Sequence, residues 1–339
     1  MASVLVYLAR RALTAVPVIF GVFLLTFVMT HIVPSDPALL FAGTSATQAQ
    51  IDAIRKLFGL DQPLYVQLWI SLANFLQGNW GSSLVYNQPV LRVIIAALPN
   101  TLTLIFLSLL VAVLISIPIG VVSALKRDTW VDHTFRMLAT ITYGIPAFWL
   151  GVNLQLVGRQ FPNFPLGGSI DTTLVLSHPL AKITGSYLVD SLLTGNLAIF
   201  FDVSTRLLLP VITLAFTTSG VLIRQVRSSM LSALEENYTR TAKAYGLPER
   251  YINYRLVLKN AVGPTIVLLG LIFGFLLVGV FYVESIFGLN GIGSLAASAF
   301  QNLDYPLSVG IVVLVALLFV AANIAVDVFQ AYLDKRIVL

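Results

Sequence analysis

The chain has 339 residues, 58% of them hydrophobic and only 10% charged, with a mean hydropathy of +0.90. A soluble domain carries about 25% charged residues, so disorder, a collagen-like repeat and an ordinary cytosolic enzyme are excluded. The absence of cysteine removes disulfide scaffolds, thiolate metal sites and cysteine catalysis. What remains is an all-α polytopic membrane protein. Its excess of 20 basic over 15 acidic residues is a matter of topology before it is one of nucleic acid.

A spanning helix takes roughly 20 apolar residues, because the hydrocarbon core is about 30 Å thick and each residue rises about 1.5 Å. Six stretches free of Asp, Glu, Lys and Arg are predicted to span: Ala12–Val33, Thr101–Leu125, Met137–Val157, Leu207–Ile223, Ala261–Val283 and Tyr305–Val326. Pro17, Pro118, Pro146, Pro210 and Pro264 lie inside them as tolerable kinks. Arg10 and Arg11 precede the first, but its apolar run is too long for a signal peptide and only Val33-Pro34-Ser35-Asp36 follows. It is read as an uncleaved helix. With the N-terminus inside, the inner segments hold 14 Lys and Arg and the outer loops 6, so both termini are expected in the cytoplasm.

Two outer loops are long, Pro34–Asn100 and Gly158–Arg206. In the first, Leu64, Leu68, Leu72 and Leu76 recur every four residues beside Tyr65, Trp69 and Phe75, which predicts an amphipathic interface helix. It either covers the bundle or receives an outside partner. The inner stretch from Arg224 to Val262 holds seven basic and three acidic residues. Helical periodicity from Ser228 to Tyr245, a stop at Gly246, a turn at Leu247-Pro248-Glu249 and a second helical segment from Arg250 to Asn260 predict a protruding elbow. Such an elbow either enforces topology or docks a cytoplasmic protein.

No phosphate-binding Gly-x-x-x-x-Gly-Lys-Ser/Thr, His-Glu-x-x-His or Gly-x-Ser-x-Gly occurs, and His31, His133 and His178 are far apart in sequence. Gly288, Gly291 and Gly293 have the wrong spacing for a dinucleotide fingerprint and are expected to form a tight outer turn. An ion-driven carrier places charged groups within its spans, and these spans have no Asp, Glu, Lys or Arg. Glu284 and Asp327 are expected just past span ends, in reach of water. Asn153, Asn323, Thr217 and Thr218 are expected to pair across helices rather than line a path. Unless another subunit supplies the coupling group, energy must then enter from outside the membrane domain. A stand-alone channel or carrier is the competing class.

The elbow resembles the coupling motif of ABC-importer permeases, a Glu-Ala-Ala, three residues, a Gly, and a distal Ile-x-Leu-Pro. Ala242 matches the second alanine, Gly246 the glycine and Leu256-x-Leu258 the apolar pair, while Arg240-Thr241 stands for Glu-Ala and Lys259 for the proline. Further blocks look like the dipeptide/oligopeptide class. They are Glu236-Asn237-Tyr238-Thr239-Arg240-Thr241-Ala242-Lys243-Ala244-Tyr245-Gly246-Leu247, Phe58-Gly59-Leu60-Asp61-Gln62-Pro63-Leu64 and Leu98-Pro99-Asn100-Thr101-Leu102. Ile145-Pro146-Ala147-Phe148-Trp149-Leu150-Gly151, Val283-Glu284-Ser285-Ile286-Phe287 with Gly291-x-Gly293, and Asp304-Tyr305-Pro306 complete the series in order.

The chain is thus similar to the B-type permease subunit of such importers, and the resemblance implies a type I importer permease fold. Residues 1–98 would carry an N-terminal span and outer loop; 99–339 would form the permease domain, with its elbow at about 228–260. It further implies a multi-pass subunit of the plasma (inner) membrane. The partners would be a second, homologous permease, two cytoplasmic ATPases and an extracellular substrate-binding protein. ATP and Mg would bind in the ATPases, with no cofactor, catalytic residue or nucleic acid in this chain. Glu236, Tyr238, Arg240, Ala242, Lys243, Tyr245 and Gly246 would dock the ATPase, with Tyr238, Ala242 and Tyr245 forming the inserted face. Peptides are the first expectation for cargo; oligosaccharides or nickel are alternatives.

Overall fold

The computed structural model describes residues 2–32, 47–57, 61–162 and 164–333. Phe58-Gly59-Leu60 and Val33-Pro34-Ser35-Asp36, used above, lie outside the described residues, as do the side chains of Arg10, Arg11 and His31. Among the described residues the regular structure is helical, apart from one isolated bridge between Ser82 and Pro89. In order the helices are α1 (Ala2–Ile32), α2 (Gln48–Leu57), α3 (Leu64–Leu76), α4 (Val90–Leu125), α5 (Trp130–Gly144) and α6 (Ala147–Gly158). There follow α7 (Thr172–Ser177), α8 (Tyr187–Leu193), α9 (Leu197–Glu235), α10 (Asn237–Ala244), α11 (Glu249–Phe287), α12 (Ile292–Gln301) and α13 (Tyr305–Leu333).

Four of these, α4, α9, α11 and α13 over Tyr305–Val328, are long and apolar enough to cross a bilayer alone. The pair α5 and α6 adds a fifth if counted as one crossing, and α1 carries the shorter apolar stretch Leu13–Met29. The predicted third span is not one helix: α5 and α6 meet at 95°. The cause is local. Pro146 has no amide hydrogen to offer, and it forces Ile145 out of the helical region to φ −84°, ψ 121°. Pro17, Pro118, Pro210 and Pro264 remain inside helices. The predicted fourth span, the shortest by sequence, is the core of the 39-residue α9.

The chain divides into two compact units, one of Met1–Leu98 with Leu295–Leu318 and one of Pro99–Ser294 with Phe319–Leu339. In the first, α3 forms as predicted, but its leucine row is not wholly covered: Leu64 and Leu76 are exposed, with Tyr65 and Trp69. Phe75 stacks on Trp80 and meets Phe23. Asp304, fully buried, accepts from Leu307 N (3.2 Å) to cap α13, and from Ser83 Oγ and Val85 N of the preceding loop.

In the second unit α9 packs against α5 and α11. Gly220 is the contact point with α5, since a Cβ there would lie 2.3 Å from Ala139 O and Thr142 Oγ1. The predicted outer loop Gly158–Arg206 contains α7, α8 and the first turns of α9. Its Asp190 is buried and accepts from Thr184 N, Thr184 Oγ1 and Gly185 N. Burial pushes its carboxyl up, but those bonds outweigh it and hold the group below the usual carboxylate range. Arg206 is bound to Asp202 through Nε and to Gly167 O.

Gly220→Val should cost about 1–3 kcal/mol by overpacking the α5–α9 crossing. Gly279→Ala, with no atom within 4 Å of its added Cβ, should cost nothing. Thermal unfolding of the two variants in detergent measures the contrast.

Candidate functional site

The predicted single helix from Ser228 to Tyr245 is two helices. α9 ends at Glu235, Glu236 turns to φ −68°, ψ 151°, and α10 begins at Asn237. The last carbonyls of any helix lack partners within it. Here Thr239 Oγ1, fully buried, donates to Ala233 O at 2.8 Å and pins the break. α10 closes on Gly246 at φ +73°, with Leu247 N donating to Ala242 O and Gly246 N to Lys243 O. That is a Schellman closure, which favours glycine at the left-handed position. No atom lies within 4 Å of a Cβ at Gly246, so the constraint there is backbone conformation alone.

The second helical segment, predicted to stop at Asn260, instead starts at Glu249 and runs on to Phe287. Its first turns are π-helical over Ile252–Val257. Residues five apart on an α-helix point about 140° away from each other. The wider π turn lets Ile252 and Val257 both bury completely, in one cluster with Val121, Ala124, Val226, Met230, Ala233, Ala242 and Ala261.

Ala242 belongs to that cluster at 7% exposure, which corrects its assignment to an outward face. Tyr245 stands out at 82% and Tyr238 at 37%, and Glu236, Arg240, Lys243 and Gly246 are exposed. The elbow therefore has a foot, Thr239 and Ala242, and an outer surface made of the other six.

Beside the foot lies an ion pair that sequence reasoning missed. Asp132, fully buried in the first turn of α5, receives Arg227 Nε and Nη2, each at 2.7 Å. Ser123 Oγ donates at 2.6 Å and Asp128 N at 3.1 Å, with Asp128 itself at φ +62°. Four donors thus satisfy one carboxylate and tie α4, α5 and α9 together. The partners are 95 residues apart, and Arg227 reads in sequence as one more elbow cation. The single hint is an acid opening a helix in a basic loop.

Glu284 is also buried, at 1% exposure, and does not reach water as expected. It accepts from Thr101 Oγ1 (2.6 Å), Gly293 N (2.7 Å) and Ser294 N (3.2 Å), while Thr101 Oγ1 accepts from Ile292 N. A Cβ at Gly291 would fall onto the Glu284 carboxylate. Gly291-x-Gly293 is thus the seat of a carboxylate, and only Gly288, at φ +60°, serves the turn. Among the described residues Asn153, Asn323, Thr217 and Thr218 show no pairing across helices. Each bonds to a backbone carbonyl three or four residues back in its own helix.

Residues 116–339 match the family described as the binding-protein-dependent transport system inner membrane component. Residues 4–105 match its N-terminal counterpart. The chain belongs to this family. A probable D,D-dipeptide transport system permease protein of Escherichia coli (strain K12) is 41% identical over 331 residues, covering 97% of this chain and 96% of the relative. An oligopeptide transport system permease protein of Bacillus subtilis (strain 168) is 35% identical, and a di/tripeptide transport system permease protein of Pseudomonas aeruginosa (strain UCBPP-PA14) 34%, each covering 98% of both chains. A family member of this kind is a multi-pass membrane transport subunit.

Asp132→Asn, which leaves the Arg227 charge half-buried without its counterion, should cost about 3–5 kcal/mol. The double variant with Arg227→Gln should lose less than the sum of the single losses. Denaturation midpoints of the three purified variants supply the comparison.

Proposed function

We propose that this chain is the B-type permease of an ATP-driven importer of di- and oligopeptides. The observation that carries the reading is full-length similarity to permeases named for peptide transport, joined to an elbow with an anchored foot and an outward surface. Residues 1–98 would supply α1 and the outer α3, and 99–339 the permease domain. α1, α4, the bent α5–α6 pair, α9, α11 and α13 would make six crossings. The 14-to-6 excess of inner basic residues supports cytoplasmic termini.

In this reading one of two cytoplasmic ATPases receives the elbow's outer surface. Tyr238 and Tyr245, seven residues apart, supply aromatic contact area, Arg240 and Lys243 meet acids at the groove's rim, and Glu236 meets a base. A second, homologous permease completes the path, and an outside binding protein delivers cargo. ATP-driven closure of the ATPases pushes the elbow. Ala242 and Thr239 are seated among residues of α4, α9 and α11, so the push moves those helices instead of bending a loop. The uncharged spans require such an outside source of energy. Hydrolysis in the partners resets the path.

Gly246→Val forces a β-branched residue into the left-handed region, at a local cost of about 1–2 kcal/mol. It should leave insertion intact and uncouple ATP hydrolysis from uptake, whereas Gly246→Asn should retain most coupling. Uptake per ATP in proteoliposomes of the whole complex is the readout; unimpaired coupling in the valine variant would sink the elbow's assigned role.

A further inference from the structure

From Gln62 to Leu91 thirty consecutive residues carry no Asp, Glu, Lys, Arg or His. A solvated segment of that length would hold about seven charges. α3 lies within this stretch, and its polarity is inside out. Tyr65 (74% exposed), Trp69 (70%) and Leu76 (77%), spaced by four and seven residues, form one outward face. Gln67, two residues from both rings and so on the far side, is buried, and its Nε2 donates to Gln62 O at 2.8 Å. Water favours the reverse arrangement, because exposed apolar surface costs about 25 cal/mol per Å².

The packed side of α3 fixes its level. Phe75 meets Phe23 with 5.5 Å between ring centroids, and Phe23 is buried six residues inside the end of the α1 apolar stretch Leu13–Met29. Six residues of helix are about 9 Å. Phe75 also stacks on Trp80, and a Cβ at Gly310 would lie 3.4 Å from Trp80 Cε3. Gly310 is five residues into α13, within the candidate span Tyr305–Val328. The C-terminal end of α3 is thus seated, through Phe75 and Trp80, on two apolar helices inside their uncharged stretches. Asp61 before α3 and Arg92 after it are both exposed and mark the polar ends of the segment. The 13 residues of α3 are too few to cross a bilayer themselves.

We infer that α3 lies in the lipid leaflet at the C-terminal end of α1, with Tyr65, Trp69 and Leu76 set into the boundary between headgroups and acyl chains. The inference rests on α1 and α13 being crossings, as in the reading above, and is independent of the cargo. Tyr and Trp favour that boundary, because each ring is apolar on its faces and carries one polar group. A docked protein is the competing occupant. Protein interfaces carry a polar, solvated rim, and this stretch has no charged side chain to build one. With its outer face in lipid, α3 is a membrane anchor rather than a platform for an aqueous partner.

The test uses the natural absence of cysteine. Single spin labels are attached to Trp69→Cys and Leu76→Cys on α3 and to Leu25→Cys on α1, where Leu25 is 65% exposed. The whole complex is reconstituted in proteoliposomes, and relaxation by oxygen is compared with relaxation by a water-soluble nickel chelate. Both α3 labels should collide preferentially with oxygen and report a depth of about 5–10 Å below the phosphates. The Leu25 position should favour oxygen as well. If it does while the α3 labels favour nickel, α3 is in water and the inference is overturned. Shielding of the α3 labels from both relaxants overturns it in favour of a protein occupant. A label at position 25 that favours nickel would instead remove the α1 crossing, and the inference with it. Should Trp69→Cys fail to assemble, Leu76→Cys on the same face decides alone.

Discussion

The bidentate pair between Asp132 and Arg227 is the constraint around which the rest is arranged. A carboxylate with no exposure must have its charge met in full, and here four donors from α4, the turn after it and α9 converge on it. The pair fixes where α5 starts relative to α9. Seven residues further along α5 the glycine contact at Gly220 fixes the crossing. With both points set, the hinge at Ile145-Pro146 is the first place where this layer can bend.

The same economy of charge governs the other buried acids. Asp304 caps α13 and gathers the loop at Ser83 to Val85. Glu284 gathers Thr101 and the start of α12 over two glycines. In each case a carboxylate accepts backbone and hydroxyl donors within its own unit, so polar groups that a bilayer could not solvate are satisfied internally. At the opposite extreme α10 and its closing turn leave their cations and tyrosines exposed and bury only Thr239 and Ala242. Anchored beneath and open above is the arrangement a transmitted push requires.

Much of this was legible in the sequence. Long uncharged runs place the helices, because hydrophobic length is a direct physical requirement of the bilayer. Leu64 to Leu76 and Gly246 were readable from periodicity and turn chemistry, and the elbow's outer residues followed from the motif. The misses share a cause. Whether Pro146 kinks a span or breaks it depends on packing of both halves, as Pro118 and Pro210, which stay helical, demonstrate. Ala242 and Tyr245 look equally available in a repeat of helical period, and only the cluster formed by Val226, Met230 and Ile252 decides which is buried. The partners of Asp132 and Glu284 lie 95 and 183 residues away, beyond any local pattern.

The chain contains no cysteine, so a single introduced thiol reports its own surroundings without background. The most direct test of the anchored, outward-facing elbow is maleimide labelling of Tyr245→Cys in inverted membrane vesicles, with the ATPase subunits stripped and then restored. The account predicts rapid labelling when they are absent and protection when they are bound. Equally rapid labelling in both preparations would contradict it, because an elbow residue that is 82% exposed would then lie outside the proposed contact.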